Sequence, residues 1–404
     1  DQLNPAQREA VSAPQGNLLV LAGAGSGKTR VLVHRIAWLM QAEGLSPYAL
    51  LAVTFTNKAA REMRTRLEAL LGISMRHVWV GTFHSIAHRL LRTHWQDARL
   101  PQHFQIIDSD DQLRLIKRLL KDYSIDDERF PPRQVQGFIS GCKEEGLRPH
   151  QVNVNGDAYL AQMVELYERY QFTCERGGLV DFGELLLRSL ELLRDNPPLL
   201  NHYRERFGHV LVDEYQDTNG AQYELVRMLT HPEGRFTVVG DDDQAIYKWS
   251  GADVEHFINL PGGSEVLEQS FRIPRLVHEV ADRISRRIRN RFPKSYLPKT
   301  EEGRIQNIST FAELDMDHGS WLFLSQAAYF LNPVRDHLKS QGYFFEMQGR
   351  QSLRLKIREA LEAWRTLQRG QPITYDLAKV LYSYMTGNGV RIARGYKKIL
   401  GEEL

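Results

Sequence analysis

Cysteine is nearly absent: only Cys142 and Cys174 occur among 404 residues, and neither lies in a Cys-x-x-Cys pair. This excludes a disulfide framework and a thiolate zinc site, and a reducing, cytoplasmic setting is the expectation. No apolar run approaches the ~18 residues that a membrane-spanning helix requires, so no transmembrane segment, signal segment or membrane partner is expected. Charge of one sign is also lacking, since 52 Lys and Arg stand against 50 Asp and Glu for a net +2. Attraction to nucleic acid through the global balance is thereby excluded and would have to come from local patches. Internal repeats and low-complexity segments are missing as well. What remains, 42% hydrophobic and 25% charged residues, is the composition of a globular protein, and the length predicts about two to four domains.

The most informative stretch is 18–30, where the apolar run Leu18 to Ala22 stops in Gly23-Ala24-Gly25-Ser26-Gly27-Lys28-Thr29-Arg30. It reads as a buried strand, a phosphate loop and the start of a helix. The glycines let several backbone N–H groups converge on one anion, and the helix adds its positive N-terminal end. Lys28 is then placed to reach the β- and γ-phosphates of a nucleotide and Thr29 to ligate Mg²⁺. The strict pattern has glycine where Ala22 stands, a change of one methyl; a glycine-rich turn with a chance Gly-Lys-Thr is the other reading.

Around this loop the chain alternates strand and helix. Asn4-Pro5 opens a capped helix that projects Gln7 toward the phosphate loop, and further strands are expected at 49–55, 78–80, 209–213 and 235–240. That rhythm predicts an α/β fold with a parallel sheet, whose ligands gather at the carboxyl ends of strands. Residues 86–207 instead show helical periodicity broken by Pro and Gly, as a helical insertion would. A basic run, Arg283 to Lys294, follows Leu267, and Trp321–Ser325 reads as a buried strand of a second α/β domain, followed by a helix over 332–341.

Two acidic strand ends accompany the phosphate loop. At Asp213-Glu214, one carboxylate can hold Mg²⁺ while its neighbour takes a proton from the attacking water; we assign Asp213 and Glu214 these roles in that order. A solvated acidic turn is the alternative for this pair taken alone. After Gly240, Gln244 can sense a γ-phosphate, and Tyr247 and Trp249 offer flat faces to unstacked bases or else are core aromatics. Arg272 is either a surface ion pair or an arginine delivered to the transferring phosphoryl group.

These segments, in this order, resemble the UvrD/Rep/PcrA family of superfamily 1 DNA helicases: Ala22–Thr29, Thr54–Ala60, Gly81–Ser85, Val212–Thr218, Gly240–Trp249 and Leu267–Arg272. The resemblance implies a RecA-like ATP-binding domain from 1–85 and 208–270, an inserted helical subdomain at 86–207 that includes Leu179 to Phe182, and an incomplete second RecA-like domain at 271–404. It also implies an ATP- and Mg²⁺-dependent enzyme moving 3′-to-5′ on single-stranded DNA at junctions with duplex, with proteins of DNA repair or replication as partners. By the same resemblance Gln7 contacts the adenine edge, Arg30 and Phe271 sandwich the ring, and the loop Gly23 to Thr29 holds the phosphates. Lys28, Glu214, Gln244 and Arg272 serve catalysis, and Phe55, Asn57, Thr82, Phe83, His84, Tyr247 and Trp249 line the DNA track. The sequence departs from the family pattern at Lys248, Ser250 and Ser270, and from Arg272 onward its wording is closer to divergent, phage-type relatives. Two later motifs, Thr-x-His-x-x-Lys-Gly and Thr-Arg-Ala, do not occur in these residues. A fragment that binds ATP and DNA but unwinds poorly is therefore expected, and a P-loop switch acting on a protein partner is the rival reading.

Overall fold

The computed structural model describes residues 2–233, 235–248, 251–347 and 349–385. The chain divides into two compact units, Asp1–Ile305 and Gln306–Leu404.

The first unit opens with α1 (Pro5–Ser12). Asn4 caps it by accepting from the Gln7 N–H, the Gln7 side chain returns the bond to the Asn4 N–H, and Pro5 supplies a preset φ at the first helical position. Next come β1 (Leu18–Ala22), α2 (Lys28–Gln41), β2 (Leu50–Thr54), α3 (Asn57–Leu71), β3 (Trp79–Thr82) and α4 (Phe83–Thr93). The helical stretch follows, with β4 (Gln105–Ile106), α5 (Ser109–Asp122), α6 (Pro132–Glu144), α7 (Ala158–Gly177), β5 (Leu179–Val180), α8 (Phe182–Asp195) and α9 (Pro197–Arg206). The sheet then resumes with β6 (His209–Val212), α10 (Gly220–Leu229), β7 (Phe236–Gly240), α11 (Glu255–Ile258), β8 (Gly263–Leu267) and α12 (Arg275–Ser285).

Six strands form one sheet in the order β3-β2-β6-β7-β1-β8, every pair parallel. The five from β3 to β1 carry near-continuous apolar runs because both faces are covered. Leu19, Leu21, Val53, Val212 and Val238 point into a core shared with α4 and α8, while Val20, Ala22, Ala52 and Val239 point into a second core under α2 and α3. Since all six strands run the same way, their carboxyl ends lie along one edge of the sheet, and the segments leaving β1, β2, β3, β6, β7 and β8 share that edge.

The helical stretch has its own apolar centre, built from Ile116, Val135, Ile139, Leu166, Tyr167 and Tyr170. Residues 271–305 pack with the first unit. Phe271 N–H donates to the Gly25 carbonyl at 2.9 Å, and Ser270 Oγ donates to the Ala24 carbonyl at 2.7 Å.

The described residues of the second unit form α13 (Asn332–Ser340), an antiparallel pair β9 (Glu346–Met347) and β10 (Arg350–Gln351), α14 (Leu355–Gln368) and α15 (Tyr375–Met385). The expected strand at Trp321–Ser325 is not formed. That run has no strand beside it, and Leu322 and Leu324 are more than four-fifths exposed. Among the described residues no helix is long and apolar enough to cross a membrane.

Candidate nucleotide and nucleic-acid site

The loop from Gly23 to Gly27 is shaped by backbone that only glycine adopts at no cost: Gly25 and Gly27 have φ of 79° and 94°. Gly25 needs its missing side chain for a second reason, since a β-carbon there would stand 2.4 Å from Arg272 Cβ. Ser26 closes the turn by donating from both N–H and Oγ to the Gly23 carbonyl. Gln7, almost wholly buried, donates from Nε2 to the Ser26 carbonyl at 2.8 Å while its Oε1 holds the cap of α1. The expected adenine contact thus sits on a side chain that also bolts the first helix to the phosphate loop.

Lys28 opens α2, and its ammonium lies 2.9 Å from Glu214 Oε2 and 3.4 Å from Gln244 Oε1. Three parallel strands, β1, β6 and β7, therefore deliver one cation, one carboxylate and one amide to a single point, although these residues lie up to 216 positions apart in sequence. Glu214 occupies the left-handed region, with φ of 51°. A non-glycine residue there is strained, and such strain collects at functional sites where neighbours over-determine it. Gln216 is one such neighbour: its amide donates to Glu214 Oε2 at 3.0 Å and to Asp217 Oδ2 at 3.2 Å, and its carbonyl accepts from the Asp241 N–H. Gln216 was not among the expected site residues, because a glutamine inside an acidic run carries no charge signal.

Asp213 ends β6, buried, and its Oδ1 accepts from the Glu214 N–H at 3.1 Å. Burial first, and the charge of Glu214 second, push its carboxyl up to about 7. The same two causes push Asp217 up to about 6, and its Oδ1 has no hydrogen-bond partner. Among the described residues no cluster of three or more His, Cys, Asp or Glu could hold a metal ion alone. Mg²⁺ fits this donor set nonetheless. It is a hard cation that takes oxygen ligands, one or two of them carboxylates, beside substrate phosphates. An under-compensated buried carboxylate at Asp213 and a hydroxyl at Thr29 on the first turn of α2 are donors of that kind.

Arg272 is exposed, and its guanidinium makes no hydrogen bond or ion pair among the described residues. Phe271 and Arg30 are exposed too, one on the strap bonded to Gly25 and the other on the first turn of α2; Arg30 donates to the Gln2 carbonyl at 3.4 Å.

The residues expected on the DNA track divide. Phe55 and Tyr247 stack with ring centroids 5.7 Å apart, so the loops after β2 and β7 share one aromatic surface. Asn57 is exposed at the start of α3. His84 meets the exposed Phe182 edge-on at 5.6 Å, which brings the helical stretch to the same edge, and burial lowers the His84 pKa. Phe83 is corrected. It is 2% exposed and belongs to the core beside Trp79 and Leu90, because α4 turns its first residue inward. Thr82 is nearly buried and caps α4, its hydroxyl accepting from the Ser85 N–H at 3.2 Å. Trp249 and Ser250 lie outside the described residues.

The sequence profile of the UvrD/REP helicase N-terminal domain matches residues 3–262. The chain is 52% identical over 321 residues to DNA helicase II of Escherichia coli strain K12, an alignment covering 78% of this chain and 45% of that protein. It is 41% identical over 307 residues to ATP-dependent DNA helicase PcrA of Bacillus subtilis strain 168, covering 74% and 42%. The chain thus spans less than half the length of these curated relatives. A parallel α/β sheet with a phosphate loop at its edge, matched by profile and by relatives alike, makes this chain a member of the UvrD/Rep helicase family.

Proposed function

We propose that this chain is the nucleotide-hydrolysing portion of a DNA motor that couples ATP turnover to 3′-to-5′ movement on single-stranded DNA and acts where single strand meets duplex. In this reading residues 1–85 and 208–270 form the ATP-binding domain, 86–207 the inserted subdomain, and 271–404 part of a second motor domain. The observation that carries it is the convergence of Lys28, Glu214 and Gln244 from three strand ends.

The ion pair between Lys28 and Glu214 defines the chemistry. Triphosphate oxygens compete for the Lys28 ammonium, and once Lys28 turns to them, Glu214 is released to orient water and accept its proton. Thr29 and Asp213 would hold Mg²⁺, which when bound neutralises charge between the phosphates. Gln244 loses its Lys28 partner in the same exchange, so its amide becomes free to report the γ-phosphate. Tyr247 leaves β7 three residues after Gln244 and stacks on Phe55, so a movement of the sensor loop is felt on the aromatic surface where unstacked bases would sit. Arg272 stands on the strap with its Cβ against Gly25, and in this reading its guanidinium would meet the transferring group.

The test is ATP turnover by this chain with and without a single-stranded oligonucleotide. The reading expects Mg²⁺-dependent turnover stimulated by DNA and lost in Lys28→Ala. Turnover indifferent to DNA would instead favour a switch that acts on a protein.

A further inference from the structure

We propose that Tyr296 is a positioning residue that ties the phosphate loop to Gln244 through Asp241, so that the segment 290–297 sets the geometry of the nucleotide sensor. The inference rests on the nucleotide reading above.

It starts from an electrostatic oddity. Asp241, Asp242 and Asp243 follow β7 in succession, the first two nearly buried, and three adjacent carboxylates repel unless cations are brought to them. The cations come from about fifty residues later. Lys294, whose side chain has no exposed surface, is ion-paired with Asp242 and lies 3.5 Å from Asp241 Oδ1 and 3.4 Å from Asp243 Oδ2. Arg291 grips Asp243 with two bonds of 2.6 and 2.9 Å, and the Phe292 N–H donates to Asp242 Oδ2 at 2.7 Å. The segment is also fastened by its backbone, since the Leu297 N–H donates to the Glu268 carbonyl and the Ser270 N–H donates to the Leu297 carbonyl, both at 2.8 Å. A charged segment fixed at this many points holds whatever lies at its end in one place.

At its end lies Tyr296. The ring covers Gly23 so closely that a β-carbon there would stand 2.9 Å from it. The hydroxyl donates to Asp241 Oδ1 at 3.1 Å, and burial together with the Asp241 charge keeps the phenol protonated. The other Asp241 oxygen accepts from Gln244 Nε2 at 2.6 Å, and Gln244 Oε1 accepts from Lys28 Nζ at 3.4 Å. One path therefore runs from Tyr296 through Asp241 and Gln244 to Lys28. It decides which way the Gln244 amide faces: nitrogen toward Asp241, oxygen toward the lysine. Of the basic run Arg283 to Lys294, Arg291 and Lys294 are thus turned toward the sensor loop and ion-paired with its aspartates, the first half-buried and the second with no exposed side-chain surface.

Phenylalanine at 296 keeps the ring over Gly23 and removes only the hydroxyl, so the relay can be cut without emptying the core. In DNA-stimulated ATP hydrolysis by the full chain, Tyr296→Phe lowers kcat by about fivefold, the worth of one hydrogen bond. KM for ATP changes by less than about twofold, because the lost contact orients rather than binds. In a Gln244→Ala background the same substitution causes no further loss. Additive losses in the double variant, or an unchanged kcat in Tyr296→Phe, overturn the relay. Hydrogen exchange provides a readout that needs no turnover: amides of 241–245 exchange about fivefold faster in Tyr296→Phe at an unchanged melting temperature. Faster exchange in a chain that hydrolyses no ATP would sink the functional reading and keep the relay; unchanged exchange sinks the relay.

Discussion

Two of the buried charge clusters in the first unit are matched in opposite ways. In the helical stretch Lys143, with no exposed surface, sits 2.8 Å from Asp181 Oδ2 and 3.0 Å from Glu184 Oε2. Arg148 grips Glu184 and Glu191 with two bonds each, and Arg188 adds bonds to Glu184 and Glu175. Burial alone would raise the Glu184 carboxyl, but Lys143 and Arg148 overcome it and hold the group well below the usual carboxylate range. At the sheet edge Asp213, Glu214 and Asp217 have Lys28 as their near cation, and burial wins: the carboxyls of Asp213 and Asp217 are pushed up. The helical cluster is complete in the chain itself. The edge cluster has negative charge left over, which in the proposed reading a bound Mg²⁺ would offset.

The comparison breaks most visibly in activity. Lys28→Ala and Glu214→Gln are each expected to lower ATP turnover by about 10³-fold, the size typical of removing one preorganised group from a charge-developing step. They differ in binding: Glu214→Gln keeps nucleotide affinity in a fluorescent-nucleotide titration, and Lys28→Ala loses it. Full turnover in Glu214→Gln would return the acidic pair to the status of a solvated turn.

The helical cluster answers in stability instead. Glu184→Gln or Lys143→Met leaves uncompensated charges in a closed core and is expected to cost about 3–5 kcal/mol in urea unfolding. With the folded carboxyl of Glu184 depressed, its stabilising contribution is present above the ordinary carboxylate pKa and is lost only as pH falls below it. A Glu184→Gln protein as stable as the parent would show that the ion pairs merely offset their own desolvation.

Much of this arrangement was legible in the sequence, for physical reasons that also mark where legibility stops. Strands β1, β2, β6 and β7 are covered on both faces and advertise themselves as apolar runs. Strand β8, Gly263-Ser264-Glu265-Val266-Leu267, pairs only with β1 at the edge, and its first two residues are exposed, so it carries no such run and escaped notice. The opposite error at Trp321–Ser325 came from an apolar run that finds no strand to pair with. Within the site, glycines and carboxylates have distinctive chemistry and were readable. Gln216 and Tyr296 act through geometry that only the fold creates. Lys294 could have been suspected, because three consecutive aspartates require cations and a basic run follows about fifty residues later.

A smaller effect tests the aromatic surface. Tyr247→Ala should weaken single-strand binding by about 1–3 kcal/mol, measured by fluorescence anisotropy with a labelled oligonucleotide, with affinity falling as salt rises in both proteins. An equal affinity would leave the Phe55–Tyr247 pair as packing alone.

The smallest effect sharpens the comparison furthest, because it runs against the usual direction of core substitutions. Asp213→Asn replaces a fully buried carboxylate by an amide of the same shape, and should stabilise the protein by about 1 kcal/mol at pH 8, read as about 2–4 °C in melting temperature. The sign follows from the raised carboxyl. The folded state holds the Asp213 proton up to about pH 7, whereas the ordinary value is 3.8. Its contribution to stability is therefore full below 3.8 and is lost as pH rises through 7. The asparagine protein does not titrate, so its advantage over the parent grows across that window and levels off above it. Added Mg²⁺ works the other way, stabilising the parent, which can bind it in the folded state, more than the variant. A lower melting temperature for Asp213→Asn at pH 8 without Mg²⁺ would mean that the chain already satisfies this carboxylate, and the contrast between a completed cluster and one awaiting its cation would fall.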